Sequence, residues 1–252
     1  ALNERSEGLM CVADNPHVAR AIAAEITARG GRPLTLMVDV DPGIHRTGVA
    51  SPEAAAELYR TIADEPVLRY GGVQYYCGSQ QHIESYAERE AAIRDRADYL
   101  RTVLSALEAA GGKPPIVSGG GTGTHRIDAT LGLFTELQVG SYIFMDDQYR
   151  VCALTPEGDT LFETALLIDT RVISANSPGL VTVDAGLKSM ATDAKPPLVA
   201  GGAEEGTVYF FMGDEQGALI HPAGALPVHG ATVTLGAPHC DPTVNLYDFY
   251  HV

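Results

Sequence analysis

Through about residue 148 the chain switches repeatedly between short apolar runs and amphipathic stretches, and no other feature narrows its fold as much. Residues 8–12 read as a buried strand. Asn15-Pro16 then offers a cap and a first-turn proline, and a helix runs to about Arg29 before Gly30-Gly31. Strand 34–40 follows, then a helix opened by Ser51-Pro52 and reaching Asp64. A third strand spans 70–76. A long charged helix spans 83–110 and stops at Gly111-Gly112. Strands at 115–118 and 137–144 complete the series. Strands alternating with helices mean parallel pairing through βα crossovers.

From about residue 149 the helical period fades. Runs at 160–169, 171–174, 180–183, 207–212 and 231–235 stand between Gly, Pro and Asp, the pattern of a small antiparallel β domain. The expected organisation is therefore α/β: a parallel βα domain over 1–148, then a mainly antiparallel β domain over 149–252. Five βα strands fit a doubly wound sheet or part of an eight-stranded barrel, which takes roughly 250 residues when whole.

Composition excludes several function classes. Thirty-two acidic residues against 17 basic ones give a net charge of −15, with no basic cluster. That argues against nucleic-acid and anionic-membrane partners. No apolar run approaches the length of a membrane span, and residues 1–15 lack a secretory signal pattern. Cys11, Cys77, Cys152 and Cys240 form no CxxC pair, which fits a reducing cytoplasm.

Three polar clusters each follow a strand: Asp41-Pro-Gly-Ile-His-Arg-Thr-Gly48, Cys77-Gly-Ser-Gln-Gln-His82 and Ser118-Gly-Gly-Gly-Thr-Gly-Thr124. The carboxyl ends of parallel strands share one face, where active sites sit, so the three clusters should converge. The glycine run with hydroxyls at Ser118, Thr122 and Thr124 suits an anion, since successive backbone N–H groups can turn into one concavity. It carries no Lys after the glycines and is not a nucleoside-triphosphate loop. A flexible turn is the plainer alternative. Arg46 suits an anion or a ring nitrogen, or equally an ion pair with Asp39 or Asp41. His82 suits a general base, or an exposed histidine at a helix start. Tyr76 closes a strand and could be ordinary core. Near the end, His239 and Asp241 share a face if the segment is extended, a half-site for Mn²⁺, Zn²⁺ or Mg²⁺ or simply a polar turn.

VDVDPGIHRTGV (38–49), GGVQYYCGSQQH (71–82), SGGGTGTH (118–125), ELQVGSYIFMD (136–146), VDAGLKSMATD (183–193) and PHCDPTVNLYD (238–248) together resemble the D-threonine aldolase and D-serine dehydratase family. The resemblance implies pyridoxal-phosphate enzymes with an alanine-racemase-like fold, a TIM-like β/α barrel followed by a β domain. It implies that Ser118, Gly119, Gly120, Gly121 and Thr122, with Gly140 and Ser141, bind the cofactor phosphate. Arg46 then approaches the pyridine nitrogen, Tyr76 lies beside the cofactor, and His82 is the base at the substrate's β-hydroxyl. His239 and Asp241 hold a divalent metal, Mn²⁺ first, with Mg²⁺ or Zn²⁺ as the others. Asp at 241, where dehydratases tend to carry Cys, resembles the aldolase branch. The implied reaction cleaves D-3-hydroxy amino acids, with D-threonine giving glycine and acetaldehyde. Dehydration within the same family and non-catalytic cofactor binding are the alternatives. Family members pair, so a homodimer is implied.

One departure stands out. The family's Schiff-base lysine lies on the first barrel strand, and Lys113, Lys188 and Lys195 match none of it. With five strands of eight present, the expectation is that roughly 100 residues lie upstream, on the same chain or on a second one.

Overall fold

The computed structural model describes residues 2–223 and 225–252. They form two compact units, Ala1–Val139 and Gly140–Val252.

The first unit opens with the short helix α1 (Leu2–Arg5) and alternates strongly thereafter: β1 (Met10–Ala13), α2 (Pro16–Ala28), β2 (Leu34–Asp39), α3 (Pro52–Asp64), β3 (Leu68–Tyr75), α4 (Tyr86–Ala109), β4 (Ile116–Gly119), α5 (His125–Asp128) and β5 (Glu136–Leu137). The strands pair in parallel in the order β1-β2-β3-β4-β5. Each long helix begins on a side chain that satisfies one of its unpaired N–H groups. Asn15 accepts from His17 N at 2.7 Å, Ser51 from Ala54 N at 3.2 Å and Ser85 from Glu88 N at 3.4 Å. Pro16 and Pro52 occupy the first turn, where no N–H is needed. α4 ends when Gly112 N returns to Leu107 O at 2.8 Å, closing a Schellman turn. Leu36, Val38, Leu58, Ile62, Val73, Leu100, Val103 and Leu107 form a core between sheet and helices.

The second unit contains α6 (Asp147–Arg150), β6 (Leu167–Ser177), β7 (Leu180–Val183), β8 (Val199–Gly201), β9 (Val208–Phe211), β10 (Gly217–Ile220), β11 (Thr232–Gly236) and α7 (Cys240–Val244). Its strands are antiparallel, in the order β8-β11-β6-β7-β10-β9. β6 alternates exposed and buried residues along its first half, setting Ile168, Thr170 and Val172 inward. Ile168, Val172, Val181, Val183, Tyr209, Leu219, Val233 and Leu235 build this unit's core. No helix among the described residues is long and apolar enough to cross a membrane.

Several expected bounds move. The long helix starts at Tyr86 rather than at 83, because Ser85 supplies the cap and residues 78–80 make a separate 3₁₀ turn. The run read as strand 137–144 pairs only at Glu136–Leu137. Residues 141–143 then coil into a 3₁₀ turn, followed by Met145 at φ 51°. Of the run at 160–169 only 167–169 are strand, continuous with 171–174 in β6, while β8 and β10 escape the sequence reading.

Candidate functional site

In the first unit the three polar clusters lie at the carboxyl edge of the parallel sheet, after β2, β3 and β4. The cluster after β2 is folded around Asp41. Its Oδ1 accepts from Gly43 N at 2.8 Å and His45 N at 3.0 Å, and its Oδ2 meets His45 Nδ1 at 2.7 Å. Burial opposes ionisation of Asp41, but these hydrogen bonds outweigh it and hold the carboxyl below its usual range. Asp41 is thus engaged by His45, and Asp39 accepts from Gln74 Nε2 at 3.3 Å. The Arg46 guanidinium sits 5.8 Å from the centre of the Tyr76 ring, a cation–π contact that joins the loop after β2 to the end of β3.

The loop after β4 is wound inward, with Ser118, Thr122 and Thr124 buried. Ser118 Oγ donates to Glu136 Oε1 at 2.5 Å and accepts from Gln138 Nε2 at 3.0 Å. Gly121 N donates to Thr124 Oγ1 at 3.2 Å and Gly123 N to Gln81 Oε1 at 3.0 Å. Two of the loop's N–H groups therefore shape the loop itself. Glycine is required there by close approach: a Cβ on Gly121 would stand 2.5 Å from Gln81 Oε1, and one on Gly123 would overlap the Gln81 carbonyl oxygen. Below the loop, Asp128 is buried, and burial raises its carboxyl to about 6 against a hydrogen bond with Thr124 that lowers it. His82 follows Gln81 directly and is exposed, in the turn ahead of α4. Lys113, this unit's one lysine, precedes β4 and so lies toward the opposite edge of the sheet.

In the second unit His239 caps α7 from an extended backbone, and Asp241 falls in the first helical turn. The expected extended stretch stops at His239, because Pro242 suits a first turn. The two side chains still meet, with His239 Nε2 3.2 Å from Asp241 Oδ2. Two donors about 3 Å apart can share one divalent ion with bonds of about 2.0–2.2 Å. The other ring nitrogen, Nδ1, meets Asp193 Oδ2 at 2.8 Å, the partner arrangement that orients ligating histidines. Ser141 Oγ donates to Asp241 Oδ2 at 3.4 Å, so a residue expected at a phosphate lies beside one expected at a metal. Buried Asp146 ties this corner together, capping α6 at Tyr149 N (2.9 Å) and accepting from Cys240 N at 2.8 Å. Among the described residues, no group of three or more His, Cys, Asp or Glu is arranged to hold a metal. Lys188 is exposed, its Nζ 2.7 Å from Glu215.

Sequence reasoning passed over Gln81 and Asp193. The glycines that Gln81 touches were the available signal for the first. For the second, the signal was an aspartate within the 183–193 motif, yet 46 residues separate it from His239.

A parallel βα sheet with a glycine-lined polar loop at its carboxyl edge, followed by an antiparallel β unit, defines an α/β class of protein. Residues 2–148 match the family described as "Alanine racemase, N-terminal domain", and 165–252 match "Putative serine dehydratase domain". The chain belongs to the alanine-racemase family. It is 37% identical over 245 residues to a 3-hydroxy-D-aspartate aldolase of Paracoccus denitrificans (strain Pd 1222), covering 96% of this chain and 62% of that protein. It is 35% identical over 240 residues to a D-threonine aldolase of Arthrobacter sp, covering 95% and 62%. The crystal structure of D-threonine aldolase from Filomicrobium marinum superposes with a TM-score of 0.88 at 32% identity, over 96% of this chain and 64% of that one. The chain thus spans 62% of the length of these two curated relatives.

Proposed function

We propose that this protein is a pyridoxal-phosphate lyase that cleaves the Cα–Cβ bond of D-3-hydroxy amino acids with a divalent cation. The observation that carries the reading is the gathering of three polar loops at the carboxyl edge of one parallel sheet, in a chain similar to proteins named as aldolases of such acids.

The residues suit the cofactor. The loop after β4 packs Gly121 and Gly123 against Gln81 in a tight turn, and its backbone N–H groups and hydroxyls are neutral donors, as a phosphate requires. Ser118, Gly119, Gly120, Gly121 and Thr122, with Gly140 and Ser141, would hold the phosphate. Arg46 would face the pyridine nitrogen, and Tyr76, already against the Arg46 guanidinium, would flank the ring. When bound, the cofactor supplies an electron sink for the pair released as Cα–Cβ breaks. His82 would take the β-hydroxyl proton. His239 and Asp241 would hold the cation, Mn²⁺ before Mg²⁺ or Zn²⁺, which supplies Lewis acidity toward that hydroxyl. Asp193 would fix the imidazole so that Nε2 faces the ion. None of the four cysteines is joined in a disulfide, which supports a cytoplasmic, reducing setting. A homodimer with no nucleic-acid partner completes the proposal.

The complete protein, with the expected upstream segment that carries the Schiff-base lysine, should release glycine and acetaldehyde in equal amounts when supplied with pyridoxal phosphate, Mn²⁺ and D-threonine. Release of 2-oxobutanoate and ammonia instead would move the reaction to dehydration, the second reading, which the match of 165–252 to a dehydratase domain favours.

The Asp241→Ala variant should bind Mn²⁺ on the order of 100-fold more weakly, and Asp193→Asn about 10-fold more weakly. Electron paramagnetic resonance of free Mn²⁺ measures both. Unchanged binding by Asp241→Ala would remove the metal from the proposal.

A further inference from the structure

Gln81 is fully buried in a turn between two loops that carry chemistry. Its Nε2 donates to Cys77 O at 3.2 Å and to Thr124 Oγ1 at 3.0 Å, and its Oε1 accepts from Gly123 N at 3.0 Å. The amide orientation is forced, because a backbone N–H can only donate and a carbonyl can only accept. Thr124 Oγ1 also accepts from Gly121 N at 3.2 Å, which leaves its own proton for the Asp128 carboxyl. One side chain therefore holds the turn at 77–80 on one side and the glycine loop on the other. The glycine loop in turn is shaped to Gln81, since side chains at 121 and 123 would collide with it. His82 is the next residue along the chain.

We propose that Gln81 is a positioning residue that gives the 118–124 loop the shape that selects a phosphate group and fixes the His82 turn to it. The inference rests on the pyridoxal-phosphate reading above. Without the amide, Gly123 N loses its partner and the loop loses its tie to the 77–80 turn. A ligand held by its phosphate would suffer. A ligand lacking one would not.

The test measures equilibrium binding of pyridoxal phosphate and of pyridoxal to the complete protein, including the segment expected upstream. The unaltered chain should prefer the phosphorylated form. Gln81→Met keeps the length and removes all three hydrogen bonds. It should weaken pyridoxal phosphate binding roughly tenfold or more while pyridoxal binding stays within about twofold. Thr124→Val, which removes the hydroxyl shared by Gln81 and Gly121, should give the same split and serves if Gln81→Met does not fold. A preference retained in both variants, or equal weakening of both ligands, overturns the assignment of Gln81 and leaves the cofactor reading standing. No preference in the unaltered chain overturns the cofactor reading, and the assignment with it.

Discussion

Replacing Gly72 with alanine is expected to destabilise the first unit by about 4 kcal/mol or more, a large share of the stability of an ordinary domain. Gly72 lies in β3 at φ 128°, a conformation that costs an L-residue about 1–3 kcal/mol. The larger part comes from space. Gly72 pairs with Ile116 of β4, and an added Cβ would overlap the Ile116 carbonyl oxygen and stand 2.8 Å from its carbonyl carbon. Both are backbone atoms, so the two strands would have to part. The register between β2 and β3 already slips here, between Leu36 and Met37. Gly132 is the control, with φ 65° and nothing within 4 Å of an added Cβ. Urea unfolding of the two alanine variants separates strain from collision. A Gly72→Ala variant no less stable than Gly132→Ala would refute the account.

Asp128→Asn should do the reverse and stabilise the chain at neutral pH. Asp128 is buried, and its Oδ2 has no hydrogen-bond partner. Burial raises its pKa from 3.8 to about 6, against the Thr124 hydrogen bond. With the folded value above the unfolded one, the native state holds more protons over that interval. The stability this gives is complete below about 3.8 and lost as pH rises through about 6. Above that the buried charge costs on the order of 2–3 kcal/mol. Asparagine keeps the shape and an acceptor for Thr124 without the charge. The stability difference between variant and parent should grow from pH 4 to about 7 and then level off. Parallel stability curves across that range would contradict it.

The first four parallel strands were legible because each is a short apolar run bounded by Gly, Pro or a cap, and their bounds moved by only a few residues. β8 and β10 were not, because Val199-Ala-Gly and Gly217-Ala-Leu-Ile are short and glycine-bearing, with no period to detect. Residues 139–145 carry enough apolar character to read as strand, yet residues 141–143 coil into a 3₁₀ turn and Met145 takes a positive φ, neither of which a strand allows. At the candidate site, the loops were visible from composition alone. What composition could not reveal is pairing. His45 rather than Arg46 engages Asp41, and Arg46 lies over Tyr76. Gln81 looks like any surface glutamine in Gly-Ser-Gln-Gln-His, and only the packing of two distant glycines makes it the most enclosed polar group in the turn.

The strand order of the two units has a consequence for the sequence of events during synthesis. In the first unit spatial order equals chain order, so each new strand docks on the one before it as soon as its crossover helix emerges. In the second, β6 lies between β7 and β11, and Arg171 must wait for Thr232. Local closures are fast and distant ones slow. The glycine-rich loop and the His82 turn therefore form before the β6–β11 pair closes, while His239 and Asp241, which follow β11, are set only after it.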